Sequence, residues 1–483
     1  MDKDTKSEYS KIVNLEDGDA QELGEKSVCS WLYRWVVLLF IMFLTFGSYW
    51  VFDTPGALFT QLQGWFGSDY TSSKNLTLYS VYSYPNIILC FFGGIIVDRF
   101  TGVRLGAVLF CGFILTGEIL FAIGVQVQQY YLCLVGRFVF GLGGESLTVA
   151  QNTYTARWFD GPQLALAFGL VLSFARVGSS VNFAATPSLA TISVPFAVWF
   201  GAGTCFISFT ACCILGLLDK AGEKWVVKTN VSTEKISFRH ITRFPGSTYI
   251  IYFICVFFYI GILTFYTVAS DIMQHTGVQY SETTATLFLS IPNFVSIIAS
   301  PLFGFCIDKF GRALYWMTVA CIMLIVAHLC FLGNAYELFE IHPVVIMLWL
   351  GVGYAMFAAA IWPMLAFLVA PNMLGTAYGA MTAVQNAGLA IFPQIIGVLQ
   401  DADGISDSNL KYSIPIMIFV CCAVLALGLT LLLMSLDAAG KGNGGQKGKL
   451  NADAALRKRY KEMMSAVDAA EPAPLIEPYG DSI

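Results

Sequence analysis

The chain has 483 residues, of which 57% are hydrophobic and 12% charged, with a net charge of −5 and a mean hydropathy of +0.67. A soluble domain carries about a quarter charged residues, so an ordinary soluble fold is excluded, and the absence of a basic stripe in the apolar core excludes nucleic-acid binding. The 13 cysteines fall mostly inside apolar segments, without metal-ligand spacing, and no nucleophile–base pattern or phosphate loop points to an enzyme.

In chain order, residues 1–30 form a polar, acidic cytosolic tail. It has neither the basic start nor the apolar stretch of a cleavable signal peptide, so the first apolar helix is expected to serve as its own insertion signal. Tyr9-Ser-Lys-Ile12 within it is a tyrosine-type sorting pattern. A helix needs about 20 apolar residues to cross a bilayer. On that basis spans are expected near 31–57, 76–97, 105–126, 131–155, 161–185 and 195–218, forming a first bundle over 31–218. A linker over 219–247 holds six basic residues. Further spans near 248–270, 283–305, 314–334, 343–368, 375–398 and 412–435 form a second bundle over 248–435. The tail over 436–483 begins Gly-rich and carries near its end Glu471-Pro-Ala-Pro-Leu475-Ile476, a dileucine-type pattern for clathrin adaptors. The expected fold class is an all-α polytopic membrane protein with 12 transmembrane helices in two six-helix bundles, both termini cytosolic.

Charge supports that orientation. With both tails in the cytosol, cytosolic segments hold 23 of the 27 Lys and Arg residues, whereas the opposite face holds only Lys74 and Lys411. Asn75-Leu-Thr77 then becomes a usable glycosylation sequon in a non-cytosolic loop, and Asn230-Val-Ser232 an unusable one on the cytosolic side.

Between the second and third spans stands Gly94-Ile-Ile-Val-Asp98-Arg99-Phe-Thr-Gly102-Val-Arg104. Between the eighth and ninth stands Gly304-Phe-Cys-Ile-Asp308-Lys309-Phe-Gly311-Arg312, with Asp308 placed 210 residues after Asp98. A charged signature repeated at equivalent places marks two related halves. Asp at a helix end can pair with Arg or cap a helix, so Asp98, Arg99, Arg104, Asp308, Lys309 and Arg312 are candidate cytosolic gate residues. Both copies resemble the loop signature of the major facilitator superfamily, the first with one inserted residue. The fourth span's Gly136-Arg137-Phe-Val-Phe-Gly141-Leu-Gly143-Gly144-Glu145 resembles that superfamily's fourth-helix pattern, which implies a packing or gating role for Arg137.

Within it, FFGGIIVDR, GRFVFGLGGESLTVAQNTY, ARVGSSVN, IWPMLAFLV and LGTAYGAMTAVQNAGLAI resemble the family of major facilitator superfamily domain-containing protein 1. The resemblance covers most of the membrane core and fails in the tails and linker. It implies a carrier in the lysosomal membrane that exports dipeptides, working with a heavily glycosylated single-span accessory protein. Family members carry their dileucine signal in the N-terminal tail; here Glu471, Leu475 and Ile476 lie in the other tail, which leaves the plasma membrane as the alternative address.

Charge inside a span is costly and marks pathways. Glu145 and Arg176, on neighbouring helices four and five, suit the ammonium and carboxylate of a zwitterionic peptide; they also suit pairing with each other. Glu118 on the third span reads as a helix-pairing group. Asn182, Trp362, Gln385 and Asn386 are candidate cavity-lining residues, and Tyr49 and Asp53 candidates for closing the non-cytosolic side. With His328 the single in-span histidine, passive uniport is expected; the alternative is a proton-coupled or facilitative carrier of another organic anion, amino acid or sugar. No cofactor or metal is expected.

Overall fold

The computed structural model describes residues 32–95, 101–159, 161–223, 244–369, 374–402, 408–441, 448, 450 and 451. Eleven helices among them are long and apolar enough to cross a membrane. In the first half these are α1 (Leu32–Phe52), α3 (Gly102–Gln126), α4 (Tyr130–Trp158), α5 (Gly161–Ala190) and α6 (Val194–Ala221), with the 24-residue helix α2 (Ser72–Ile95) beside them. The second half holds α7 (Gly246–His275), α8 (Glu282–Phe310), α9 (Ala313–Ala335), α10 (Pro343–Leu368), α11 (Leu374–Gln400) and α12 (Ser408–Ala439). Leu105, Phe206, Ile298 and Val398 are each 60% exposed or more, the outward apolar surface of a protein solvated by lipid.

Each half repeats the same packing. α3 lies on α4 and α6, and α2 on α4; in the second half α9 lies on α10 and α12, and α8 on α10. The halves join where α2 runs along α11 and α5 along α8. The glycines of the fourth-span pattern make close packing possible. A Cβ on Gly136 would stand 2.5 Å from Phe121 N, so α3 and α4 cross nearly backbone to backbone.

Several boundaries differ from expectation. The first span does not stop at 57, because short helices Thr54–Ala57 and Phe59–Phe66 carry it onward after a break at Asp53 and Pro55. α6 runs through Ala221 and α12 starts at Ser408, so the linker and the last loop are shorter than their polar residues suggest. α7 contains a π turn over Ile260–Thr264, fastened by His328, whose Nε2 sits 2.9 Å from Gly261 O. Ser193 caps α6 by accepting from Phe196 N, and Ser281 caps α8 by accepting from Thr284 N.

Candidate functional site

Call the end of the molecule where α1 begins and α12 ends the tail side, and the opposite end the far side. Midway between them, the first half presents charge and the second half rings. Glu145 on α4 and Arg176 on α5 are both half-buried, and no ion pair among the described residues joins them. The Arg176 guanidinium instead lies over the Tyr354 ring of α10, 4.5 Å from its centroid, a cation–π contact between the halves. Around it Trp362 Nε1 donates to Tyr259 Oη (3.0 Å) and Tyr378 Oη donates to the Trp362 carbonyl (3.0 Å). Tyr266 is 4% exposed, and its hydroxyl has no hydrogen-bond partner among the described residues. Sequence reasoning missed Tyr259, Tyr266, Tyr354 and Tyr378. A tyrosine in an apolar helix carries no signal until its hydroxyl's neighbours are known.

Tyr49 is half-buried on α1, and its carbonyl accepts from Ser179 Oγ of α5 at 3.2 Å. Asp53, 8% exposed, stands at the break after α1. Gln385 is half-buried and its Oε1 lies 3.8 Å from Cys255 Sγ. Asn386, 2% exposed, donates to Thr382 O (3.0 Å) and meets Cys90 Sγ (3.9 Å) across the α2–α11 seam. Asn182 does not line a cavity. It is 0% exposed, and its Oδ1 accepts from Thr54 (3.2 Å) and Thr186 (2.5 Å), tying α5 to the broken end of α1.

Arg137 is also 0% exposed. It donates to the carbonyls of Val51 (3.0 Å) and Phe52 (2.8 Å), at the point where α1 breaks, and is ringed by Phe52, Tyr79, Phe121 and Phe140. That geometry braces the break. Glu118 pairs no helices by hydrogen bonding: it is 0% exposed and neither carboxylate oxygen has a partner among the described residues.

On the tail side Arg104 binds Asp219 of α6 (Nε to Oδ2, 2.5 Å) and Glu223 (2.6 Å), and its guanidinium holds the Glu223 carboxyl below the usual carboxylate range. Asp219, 0% exposed, also accepts from Trp158 Nε1 (2.8 Å). Arg104 therefore links elements of one half. In the second half Gly311 and Arg312 turn through positive φ (70° and 56°), Arg312 is exposed, and Lys309 lies over Phe305 and Phe310 of its own helix. Asp98 and Arg99 lie outside the described residues, as do the side chain of Asp308 and the sorting residues Tyr9, Glu471, Leu475 and Ile476.

Asn75 is not on a loop. It sits in the first turn of α2, 2% exposed, with its Oδ1 accepting from Tyr70 Oη at 2.8 Å, and offers no surface amide for a glycan. Among the described residues no cluster of metal ligands occurs.

Residues 30–393 match the family model of the Major Facilitator Superfamily. The chain is 37% identical to "Lysosomal dipeptide transporter MFSD1" of Danio rerio over 441 residues, covering 89% of this chain and 91% of that one. It is 35% identical to the Homo sapiens protein of the same name, covering 89% and 90%. Among solved structures it resembles the tetrameric PepTSo2 crystal structure (TM-score 0.61, 12% identity, 83% of this chain and 97% of that one). It also resembles a crystal structure of the nucleoside transporter NupG (TM-score 0.58, 14% identity, 84% and 99%). At those identities the structures speak for the fold alone. With two repeated halves, a charged signature in each, and relatives matched over nearly nine-tenths of its length, the chain belongs to the Major Facilitator Superfamily, in its MFSD1 family.

Proposed function

We propose that this chain carries dipeptides out of the lysosome by alternating access, holding the peptide carboxylate on Arg176 and the ammonium on Glu145. The observation that carries this reading is the pair itself: two half-buried opposite charges on neighbouring helices that form no ion pair with each other among the described residues, with Arg176 set against Tyr354 of the other half. A guanidinium without an acid partner offers two parallel donors to a carboxylate, and a carboxylate without a base accepts from an ammonium. Tyr354 under Arg176 keeps the cation in place when no anion is bound. Trp362, Gln385 and the tyrosines form the remaining wall, and Tyr49 and Asp53 stand toward the far side.

The names of the relatives supply the substrate class and the organelle, and the 23-to-2 charge split supports 12 spans with both tails cytosolic and the far side luminal. The glycosylated single-span partner and the clathrin adaptors belong to the same reading, the adaptors through Leu475 and Ile476 or Tyr9. Transport is downhill uniport. Proton coupling is the competing reading, favoured by the buried carboxylate of Glu118, which has no hydrogen-bond partner among the described residues.

Proteoliposome uptake tests both. Labelled dipeptide should enter, be competed by unlabelled dipeptides but not by free amino acids or sugars, and equilibrate without accumulation under an imposed pH gradient. Preference for a sugar or amino acid would overturn the substrate; accumulation driven by the gradient would overturn uniport.

A further inference from the structure

The first turn of a helix has amide groups without partners inside the helix, and its positive end attracts anions. α2 begins at Ser72 on the far side, and its amides are satisfied from the other half of the molecule. Asp401, just past the end of α11, accepts from Ser72 N through Oδ1 (3.1 Å) and from Ser73 N through Oδ2 (2.8 Å). Gln400 Oε1 accepts from Ser72 Oγ, and Thr60 donates to Gln274 Oε1 of α7 (3.3 Å). The chain's own cap is weaker: Thr71 Oγ1 accepts from Lys74 N at 3.4 Å. Gly397 completes the contact, since a Cβ there would stand 2.5 Å from Ser73 Cα. Among the described residues, hydrogen bonds between halves run from Cys90–Asn386, toward the tail side of α2, through Ser173–Ile297 and Gln394–Tyr84 (2.7 Å), to this far-side cluster.

An alternating-access carrier opens its far side only by separating the start of α2 from the end of α11. That motion withdraws both oxygens of Asp401 from the α2 amides and leaves carboxylate and helix end to water. We infer that Asp401 is the catch of the far-side gate, a cap supplied in trans whose charge sets the ratio of the two access states. The inference rests on the alternating-access part of the proposed function and not on its substrate.

Hydrogen–deuterium exchange on the purified full chain tests it without any substrate. Loss of a helix cap shifts its equilibrium by roughly tenfold. Asp401→Ala should therefore raise exchange about tenfold over 72–80 and 394–400. Because the halves move as bodies, it should also raise exchange in the α5–α8 seam, over 183–190 and 282–290, where Phe183 packs into the second half's core. Asp401→Asn keeps one acceptor oxygen and should give about threefold. Gly397→Ala, with the carboxylate intact, should open the same segments by wedging the helices apart. If Asp401→Ala does not fold, the other two variants carry the test. A rise confined to residues 72–76 would show an ordinary local cap, and unchanged exchange would show no catch; either overturns the inference.

Discussion

The first half concentrates charge in the middle of its helices, with Arg137 and Glu118 sealed and Glu145 and Arg176 half-buried. At the same depth in the second half, among the described residues, stand His328, bonded to the π turn of α7, tyrosine and tryptophan side chains, and the uncharged amides of Gln385 and Asn386. The tail side keeps a matching acid in each half. Leu218-Asp219-Lys220-Ala221-Gly222 ends α6, and Leu436-Asp437-Ala438-Ala439-Gly440 ends α12. Asp219 is held by the Arg104, Arg157 and Trp158 side chains, and the contacts of Asp437 include the backbone amides of Leu450 (3.0 Å) and Asn451 (3.1 Å) in the following tail. One duplicated scaffold thus keeps its acid positions. In the proposed carrier the charged half would recognise the substrate and the aromatic half would supply a wall.

Removing Arg137 should have the largest effect on stability. Arg137→Ala strips two charge-assisted bonds from buried carbonyls at the break of α1, at about 3 kcal/mol or more. His328→Ala, which loses one bond and its packing on Phe265 and Phe419, should cost about 2 kcal/mol. Thermal unfolding midpoints in detergent check the order; a larger loss for His328→Ala would reverse the assignment of the rigid half.

The acid at the end of α6 comes next. Asp219→Asn should cost about 2–3 kcal/mol, because a buried carboxylate loses its charge assistance from Arg104 and Arg157. An unchanged midpoint would show that these ion pairs add nothing to the tail side of the first half. Glu223→Gln should change the midpoint by less than the error, its carboxylate lying in solvent where ion pairs add little; a clear drop would extend the Arg104 cluster outward.

The spans, the two halves and their charged signatures were legible in the sequence because apolar length and repeat spacing are local properties. Burial depth was not. Arg137 read as a packing or gating residue and Asn182 as cavity lining, because a charge or amide in an apolar run looks the same whether it lines a path or closes a broken helix. The carbonyls of Val51 and Phe52 decide that, and nothing in their side chains announces it. Asn75 was misplaced for a related reason. A sequon is a three-residue pattern, while the start of α2 is fixed by Asp401, more than three hundred residues away. Asp219 went unnoticed because its partner Arg104 is near only in space.

Substrate chemistry shows whether Arg176 holds the peptide carboxylate. Desolvating that carboxylate without a partner costs several kcal/mol, so Arg176→Ala should lose roughly thirty- to a thousandfold in affinity, about 2–4 kcal/mol. Arg176→Lys should recover only part of it. Uptake of a dipeptide and its C-terminally amidated form should be compared in wild type and in Arg176→Ala. Amidation should weaken wild-type uptake strongly and leave the Arg176→Ala carrier nearly unchanged. An equal penalty for amidation in both proteins would place the carboxylate on a residue other than Arg176.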